Sequence, residues 1–194
     1  MLKIILASKS KVRKTILENN SLICTVERSN VDEDPIKDSL IADGATPEII
    51  SKNLAEIKAN KVSAKFSDKL VLGADSVLDL NGKIISKPKN RDEALNILKN
   101  LNGRTHHLIS SVCISKNGSM IWNFTDKAKL TMKTMSEADL KNYLSQITDE
   151  ALYSYNVYQI EGLGRSLFNK IEGNKDTIMG LPIKEIREYL ENYK

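Results

Sequence analysis

The sequence predicts an α/β fold with a mixed central β-sheet flanked by helices. Short apolar runs typical of strands alternate with segments whose apolar residues recur at helical spacing. The pairs Asn81-Gly82 and Asn117-Gly118 separate strand-like runs, and this dipeptide favours the tight turn of a β-hairpin. The alternation of strands and helices would by itself favour a purely parallel sheet. The hairpins add antiparallel pairs of strands, so we expect a mixed sheet.

The predicted strands follow the apolar runs. They are expected at residues 3–7, 22–28, 69–80, 83–86, 105–116, 119–133 and 166–171. In the acidic stretch over residues 29–45 the apolar residues show no regular spacing, so this stretch is expected to be irregular.

The predicted helices begin at residues that suit an N-cap. Thr46 precedes Pro47, Asn90 has Glu93 three positions later, and Ser136 precedes a further helical pattern. Helices are therefore expected over residues 10–19, 47–65, 91–102, 137–146 and onward from Gly180-Leu181-Pro182.

Length and composition describe an ordinary soluble domain. The 194 residues fit one domain, 1–194, with room for two lobes, and 41% are hydrophobic and 28% charged. The net charge of +4 suits an anionic partner, but the lysines are scattered and aromatics make up only 5%, which argues against a nucleic-acid surface. The first apolar run, residues 1–7, is too short for a secretory signal or a membrane span. We expect a cytoplasmic protein without a membrane partner, with Cys24 and Cys113 as buried free thiols.

The turn after the first strand is a candidate phosphate site. Ser8 and Ser10 stand where a buried strand ends and a helix begins, with Arg13 in the first turn of that helix. Helix N-termini present free N–H groups and a positive dipole end to anions, and the basic side chains add charge. A serine-capped helix with a solvated basic face explains the pattern equally well.

Asp75 is the second candidate because it interrupts an apolar run, Leu70–Leu78, within the predicted strand over residues 69–80. A carboxylate in such a place costs several kcal/mol, roughly, unless it is paired or bound to a metal. Gly73 and Ala74 leave room for another group to approach the backbone. A metal-binding or water-activating role is therefore favoured over an aspartate that is merely bonded to backbone at a kink.

Three further candidates are individually weak. Lys87 ends the second hairpin strand before Pro88, and Lys58 follows Leu54 on an apolar helix face, where its amine either points inward or reaches water. The acidic loop at Asp32-Glu33-Asp34 offers oxygen ligands of the kind that Mg²⁺ prefers, although such loops are more often only solvated. His106 and His107 are adjacent in a strand, point to opposite faces and are not expected to share a metal.

Taken in order, these segments resemble the Maf family of nucleoside triphosphate pyrophosphatases. The matching pieces are Leu6-Ala7-Ser8-Lys9-Ser10 with Arg13, Val31-Asp32-Glu33, Leu54-Ala55 with Lys58-Ala59, Gly73-Ala74-Asp75-Ser76-Val77, Lys87-Pro88, Glu93-Ala94, Leu101-Asn102-Gly103-Arg104-Thr105-His106, Tyr158-Gln159-Ile160-Glu161-Gly162-Leu163-Gly164, Gly173 and Gly180-Leu181-Pro182. Each piece is modest, but the ordered set is specific and spans nearly the whole chain.

The resemblance implies an elongated fold related to inosine triphosphate pyrophosphatases, with a cleft between two lobes. It implies hydrolysis of a nucleoside triphosphate between the α- and β-phosphates, giving monophosphate and pyrophosphate, as house-cleaning of non-standard or excess nucleotides. It also implies a divalent cation, Mg²⁺ or Mn²⁺, and a homodimer. By motif position Asp75 is the proton acceptor, Ser8, Arg13, Lys58 and Lys87 surround the triphosphate, and Glu33 with Asp75 contacts the metal.

The sequence departs from the family pattern in two places. Val12 stands where the family usually has an arginine, which removes a bidentate phosphate donor. Asn156-Val157 stands where Ala-Gly is usual before the late tyrosine, in the region near the base pocket.

Three other functions stay open at this point. A phosphohydrolase acting on a sugar phosphate or on a terminal phosphate would release orthophosphate instead of pyrophosphate. A non-enzymatic regulator of cell division or septum formation, a role also associated with the family, would bind a protein partner. An RNA-binding module would show a steep salt dependence.

Overall fold

The structure of the protein is a computed structural model that describes residues 3–193, with only the backbone described at Ser154 and Tyr155. The strands are β1 (Lys3–Leu6), β2 (Ile23–Val26), β3 (Leu70–Leu80), β4 (Lys83–Ile85), β5 (Thr105–Lys116), β6 (Ser119–Met132) and β7 (Phe168–Glu172). The helices are α1 (Lys11–Asn19), α2 (Glu33–Ala42), α3 (Pro47–Ser63), α4 (Arg91–Leu101), α5 (Glu137–Ser145), α6 (Asp149–Tyr155), α7 (Lys175–Ile178) and α8 (Ile183–Asn192), with a 3₁₀ helix at Leu163–Leu167.

Within residues 3–193 the strands form one seven-stranded sheet in the order β2-β1-β3-β5-β6-β7, with β4 paired to β3. β1 is parallel to both its neighbours, so that Ile4 lies opposite Cys24 on one side and Leu70 on the other. β4 on β3 and β7 on β6 are antiparallel. The predicted mixed sheet flanked by helices is therefore confirmed.

The two Asn-Gly pairs form the turns that their residue types favour. Asn81 and Gly82 have φ of 54° and 81°, and Asn117 and Gly118 have φ of 51° and 82°. A type I′ hairpin turn requires positive φ at both central residues, which asparagine and glycine adopt most easily. The ends of β3, β4, β5 and β6 are set by these two turns.

The predicted helix caps at Thr46, Asn90 and Ser136 each accept a hydrogen bond from the backbone N–H three residues later. The Glu93 carboxylate accepts from the N–H of Lys89 at 2.8 Å, one residue before the cap. All three helices begin at the expected positions because the caps satisfy N–H groups that the helix leaves unpaired.

The expectation that residues 29–45 are irregular is wrong, because α2 occupies Glu33–Ala42. Pro35 lies within the first turn, where the N–H that it lacks has no helical partner in any case. Glu33 and Asp34 also lie in that turn, and their negative charges favour the helix N-terminus. Helix α6 was likewise not expected from the sequence.

The chain divides into two compact units. Unit 1 holds the described residues up to Val77 together with Ile109–Lys127 and those from Asn174 onward, and unit 2 holds Leu78–Leu108 and Ala128–Gly173. In unit 1, α1 and α8 pack on one face of the sheet through a buried cluster that includes Leu6, Leu17, Leu72 and Ile186. The opposite face packs against α3, where Val62 contacts a cluster of Ile5, Ala7 and Val71. These two packed faces fix the directions in which β3 presents its side chains.

Both cysteines are free thiols, as expected, but only Cys113 is buried and Cys24 is partly exposed. Burial raises the pKa of Cys113 to about 11 and also raises the pKa of Cys24. A thiol with a raised pKa carries little thiolate near neutral pH and is a poor nucleophile. No helix between residues 3 and 193 combines the length and the apolar character that crossing a bilayer requires.

Candidate active site on the two faces of β3

The candidate site is built on β3, whose side chains alternate between the two faces of the sheet. Val71 belongs to the cluster that α3 covers, whereas Leu72 belongs to the cluster that α1 and α8 cover. Continuing this alternation, Asp75 projects toward α3 and Ser76 toward α1. The two residues therefore meet different sets of partners.

Gly73 lets α3 approach β3 closely. A Cβ at Gly73 would overlap the carbonyl oxygen of Ala55 and would lie 2.8 Å from the backbone nitrogen of Ala59. Real Cβ atoms do not approach backbone atoms so closely, so only glycine fits while the helix keeps this position. The Ser51 hydroxyl adds a hydrogen bond to the carbonyl of Asp75 at 3.3 Å. Helix α3 is thereby held where its Lys58 can reach Asp75.

Lys58 lies between two carboxylates. Its Nζ is 2.7 Å from Oδ1 of Asp75 and 2.9 Å from Oε1 of Glu33, at the start of α2. Both Lys58 and Asp75 are buried, with 6% and 5% of their surfaces exposed. The other oxygen of Asp75, Oδ2, is also buried and has no hydrogen-bond partner among the described residues. An unmet carboxylate oxygen in such a place is costly, so it marks a position where a further donor or cation would be stabilised.

The charges around Glu33 keep its carboxyl ionised. Partial burial acts to raise the pKa of Glu33, but the ammonium groups of Lys58 and Lys37 outweigh it, and the pKa is held below the ordinary value of 4.5. Lys37 Nζ lies 3.4 Å from Oε2, on the outer side of the carboxylate. Glu33 is thus an anion near neutral pH, and both of its oxygens face ammonium groups.

Arg13 joins three parts of unit 1 on the other face of β3. Its Nε donates to the carbonyl of Gly180 at 2.9 Å, and its Nη1 donates to the carbonyl of Ala74 at 3.0 Å and to Ser8 Oγ at 3.3 Å. Its Nη2 donates to Ser76 Oγ at 3.1 Å. Burial lowers the pKa of Arg13, while the charges of Asp75 and Glu33 oppose that shift. Because four of the five N–H groups of a guanidinium are engaged here, Arg13 organises the surrounding backbone in this state.

Hydroxyl groups extend this arrangement behind Ser76. Ser76 Oγ and Ser110 Oγ are 2.8 Å apart, and Ser110 Oγ donates to the carbonyl of Thr177 at 2.7 Å. Thr177 Oγ1 in turn donates to Oδ2 of Asp126 at 2.5 Å. Ser110 and Thr177 are fully buried, so the hydrogen bond between them is shielded from water, whereas Ser76 and Asp126 at the two ends are partly exposed.

The turn at Ser8–Ser10 lies beside Arg13. Ser8 Oγ accepts from the N–H of Ser10 at 3.2 Å, and Ser10 Oγ caps α1 by accepting from the N–H of Arg13 at 3.3 Å. The expected strand-turn-helix arrangement is therefore present. Its role in holding phosphate stays a prediction.

Five of the predicted site residues form two bonded groups. Ser8 is bonded to Arg13, and Glu33, Lys58 and Asp75 are bonded together, all within unit 1. Lys87 belongs to unit 2, where it is exposed. Its predicted contact with phosphate stays a prediction.

Sequence reasoning missed the hydroxyl network of Ser110 and Thr177. One signal was present, since Ser110-Ser111 interrupts the otherwise apolar run over residues 108–114 much as Asp75 interrupts the apolar run in β3. Buried hydroxyls need partners, so a serine pair among apolar residues indicates a polar contact on each face.

The adjacent histidines have different partners within unit 2. His106 is buried and its Nε2 is 2.8 Å from the hydroxyl of Tyr158, whereas Nδ1 of His107 is 3.8 Å from Oδ2 of Asp79. Burial, with a smaller effect of His107, lowers the pKa of His106 to about 4. His106 is therefore neutral near pH 7.

The donor set around Lys58 fits a hard divalent cation that keeps other ligands. Glu33 and Asp75 provide carboxylate oxygens, and one of these, Oδ2 of Asp75, is buried and has no partner in the described part of the chain. Between residues 3 and 193 no cluster of three or more histidine, cysteine, aspartate or glutamate side chains is placed to hold a metal. Mg²⁺ is commonly held by one or two carboxylates together with water and substrate phosphates, and the residues present suit that pattern.

Comparison with known proteins gives the chain its family. A family model described as Maf-like protein matches residues 3–193. The nucleoside triphosphate pyrophosphatase of Pelagibacter ubique (strain HTCC1062) is 67% identical over 192 residues, which cover 99% of this chain and 98% of that protein. The 7-methyl-GTP pyrophosphatase of Rhizobium etli is 38% identical over 181 residues, which cover 93% of this chain and 91% of that protein. A HAM1 protein from Coxiella burnetii shares the fold, with a TM-score of 0.58 at 13% identity over the full length of both chains. The chain therefore belongs to the family of Maf-like proteins.

Proposed function

We propose that this protein is a nucleoside triphosphate pyrophosphatase that hydrolyses the bond between the α- and β-phosphates. Relatives that match almost its whole length are named for that activity, one of them at 67% identity. The observation that carries the proposal is the Asp75 carboxylate, which is buried, is paired through Oδ1 with Lys58, and has no partner for Oδ2 among the residues that the structure describes.

Asp75 accepts the proton of the attacking water in this proposal. A general base needs a free acceptor atom and a fixed orientation, and in the free protein the bond from Lys58 to Oδ1 of Asp75 supplies the orientation. Oδ2 is the acceptor, because it is the oxygen that no described residue engages. The water attacks the α-phosphorus, pyrophosphate leaves, and the proton passes to Asp75.

Basic and hydroxyl groups stabilise the phosphates. Ser8, Arg13, Lys58 and Lys87 are the residues assigned to this role, and preorganised positive charge is the main catalytic resource in phosphoryl transfer. Val12 offers no charge where the family pattern that the sequence resembles has arginine, so the remaining basic residues carry more of this task. The four hydrogen bonds of Arg13 keep its guanidinium fixed without any rearrangement.

Glu33 and Asp75 are the residues that we assign to a divalent cation, Mg²⁺ or Mn²⁺. When bound, the cation supplies neutralisation of phosphate charge. The protein contributes the two carboxylates, which α2 and β3 bring to the same ammonium group. The cytoplasmic location and the homodimer stay predictions.

The experiment is a product analysis over a panel of nucleoside triphosphates with Mg²⁺ or Mn²⁺. The panel includes the standard nucleotides, oxidised and deaminated ones, and 7-methyl-GTP, which is named in the relative from Rhizobium etli. We expect pyrophosphate and the nucleoside monophosphate. Orthophosphate and the diphosphate as the products would overturn the proposal and select a different phosphohydrolase.

A further inference from the structure

Lys58 occupies the place between the two carboxylates that are assigned to the metal. Its Nζ is within hydrogen-bond distance of both, at 2.7 Å from Asp75 and 2.9 Å from Glu33. An ammonium group and a divalent cation compete for the same oxygens, because both are attracted by the same negative charge and repel each other at short range.

We propose that Lys58 acts as a resident cation that keeps Glu33 and Asp75 from binding a divalent metal until the phosphates of the nucleotide draw its ammonium group away. The inference rests on the proposed function for the identity of the site. The inference adds an order of binding to the proposed function: the metal binds the free enzyme weakly and enters the site together with the nucleotide.

The geometry favours Lys58 over the other nearby cations for this role. Only 8% of its side chain is exposed, and its helix is fixed by the contact at Gly73, so in the free enzyme its charge is poorly screened by water. Lys37 pairs with Glu33, at 3.4 Å, and 26% of its side chain is exposed. Arg13 bonds to Gly180, and its guanidinium is engaged by acceptors on the other face of β3.

A triphosphate supplies the anion that this exchange needs. It carries several negative charges that an ammonium group binds well, and the release of Lys58 frees Oδ1 of Asp75 and Oε1 of Glu33 at the moment when the cation arrives. Both oxygens of Asp75 are then available to the cation: Oδ2, which has no partner among the described residues, and Oδ1, which Lys58 has released. A site made in this way is complete only when substrate is present.

The test measures Mn²⁺ binding to the free protein, without nucleotide, by calorimetry and by electron paramagnetic resonance. The variants are Lys58→Met, which removes the charge and keeps the length of the side chain, and Lys37→Met, which removes a charge beside Glu33 alone. We expect Lys58→Met to bind Mn²⁺ at least about tenfold more tightly than the wild type, because a positive charge in contact with both carboxylates has been removed. Lys37→Met is expected to change the affinity by less than about threefold, since an exposed pair contributes little.

Two further variants keep the result decisive. Lys58→Arg retains the charge and is expected to bind Mn²⁺ as weakly as the wild type. Lys58→Gln removes the charge but retains a hydrogen-bond donor for the carboxylates, and serves if Lys58→Met does not fold. An affinity that stays at the wild-type level in Lys58→Gln or Lys58→Met, or that rises equally in Lys37→Met, overturns the inference.

The outcome is separable from that of the proposed function, because no nucleotide is used. If the wild type releases pyrophosphate but removal of the Lys58 charge leaves Mn²⁺ binding unchanged, only the inference about Lys58 fails. If binding tightens in Lys58→Met but the wild type releases no pyrophosphate from any nucleotide, the proposed function fails and the competition between Lys58 and the cation stands.

Discussion

Arg13 and Gly180 are 167 positions apart in the chain, and the Arg13 Nε donates to the Gly180 carbonyl at 2.9 Å. Gly180 has φ of +92°, and a Cβ there would lie 3.1 Å from the hydroxyl of Ser76 and 3.4 Å from Arg13. Glycine thus serves both the backbone conformation and the close fit around the guanidinium. Helix α1, through Arg13, and the connection between α7 and α8, at Gly180, therefore meet beside Ala74 and Ser76 of β3.

The hydroxyl network behind Ser76 predicts that Ser110→Ala impairs substrate handling. The change removes the bonds of Ser110 to Ser76 and to the carbonyl of Thr177, which keeps its bond from the N–H of Gly180, and it loosens one contact of Arg13. We expect kcat/KM to fall about tenfold, mainly through KM, since losses of this kind are worth roughly 1–3 kcal/mol. Steady-state kinetics and urea denaturation measure the two effects separately.

Ser111→Ala is the matched control. Ser111 is equally buried on the same strand, and its hydroxyl is bonded to Thr125 at 2.9 Å, away from Arg13. It should lose a similar amount of stability while KM stays near the wild-type value. An equal rise of KM in both variants would mean that Ser110 has only a structural role.

Asp75→Asn is predicted to lower kcat by about 10²–10⁴-fold, the usual range for loss of a general base. The amide keeps the shape of the side chain but accepts a proton from water far less readily. Asp79→Asn serves as the control, because Asp79 is also a buried aspartate of β3 and accepts a hydrogen bond from the N–H of Gly82 at 2.7 Å. That variant is expected to lose stability and to keep its turnover per folded molecule. Near-normal turnover in Asp75→Asn would remove Asp75 from the role of proton acceptor.

The sequence allowed the turns and most helix starts to be predicted, because their causes are local. Asn117-Gly118 placed the ends of β5 and β6 to within about a residue, since the dipeptide itself adopts the required positive φ. Helix α2 was missed because Pro35 and the acidic residues around it are as frequent in loops as in first turns.

The site was predicted as a set of residues but not as an arrangement. Lys58 and Asp75 are 17 positions apart and belong to different elements, so nothing local indicates that they pair. The helical spacing of Lys58 left open whether its amine points inward, and the close packing at Gly73 decides it. The distribution of Asp75 and Arg13 over two faces of β3 depends on tertiary packing and has no counterpart in the spacing of the motifs.

The packing at Gly73 predicts that Gly73→Ala destabilises the protein by roughly 1–3 kcal/mol, because α3 must move away from β3. The displacement also carries Lys58 away from Asp75, so activity should fall in the fraction that remains folded. Gly162→Ala is the control for stability, since a Cβ there meets no atom closer than 3.7 Å and its φ is −117°. Chemical denaturation compares the two variants. Equal stability would show that α3 does not depend on the missing side chain.

The buried His106 predicts a loss of stability in mild acid. Its pKa in the folded protein is lowered from 6.5 to about 4, so between these values the unfolded chain binds a proton that the folded protein does not. The free energy of unfolding should therefore fall by about 1.4 kcal/mol per pH unit from this group as the pH drops below 6.5, and the effect should level off near pH 4. His106→Gln cannot titrate there, and its stability should depend less steeply on pH. Parallel pH profiles of the two proteins would contradict the assignment.

The position of the attacking oxygen tests the central claim most directly. The wild-type protein is allowed to turn over a preferred nucleoside triphosphate in water enriched in ¹⁸O, and the products are analysed by ³¹P NMR and mass spectrometry. The label is predicted in the nucleoside monophosphate with unlabelled pyrophosphate, as attack at the α-phosphorus requires. Label in pyrophosphate or orthophosphate would place the attack elsewhere and contradict the account.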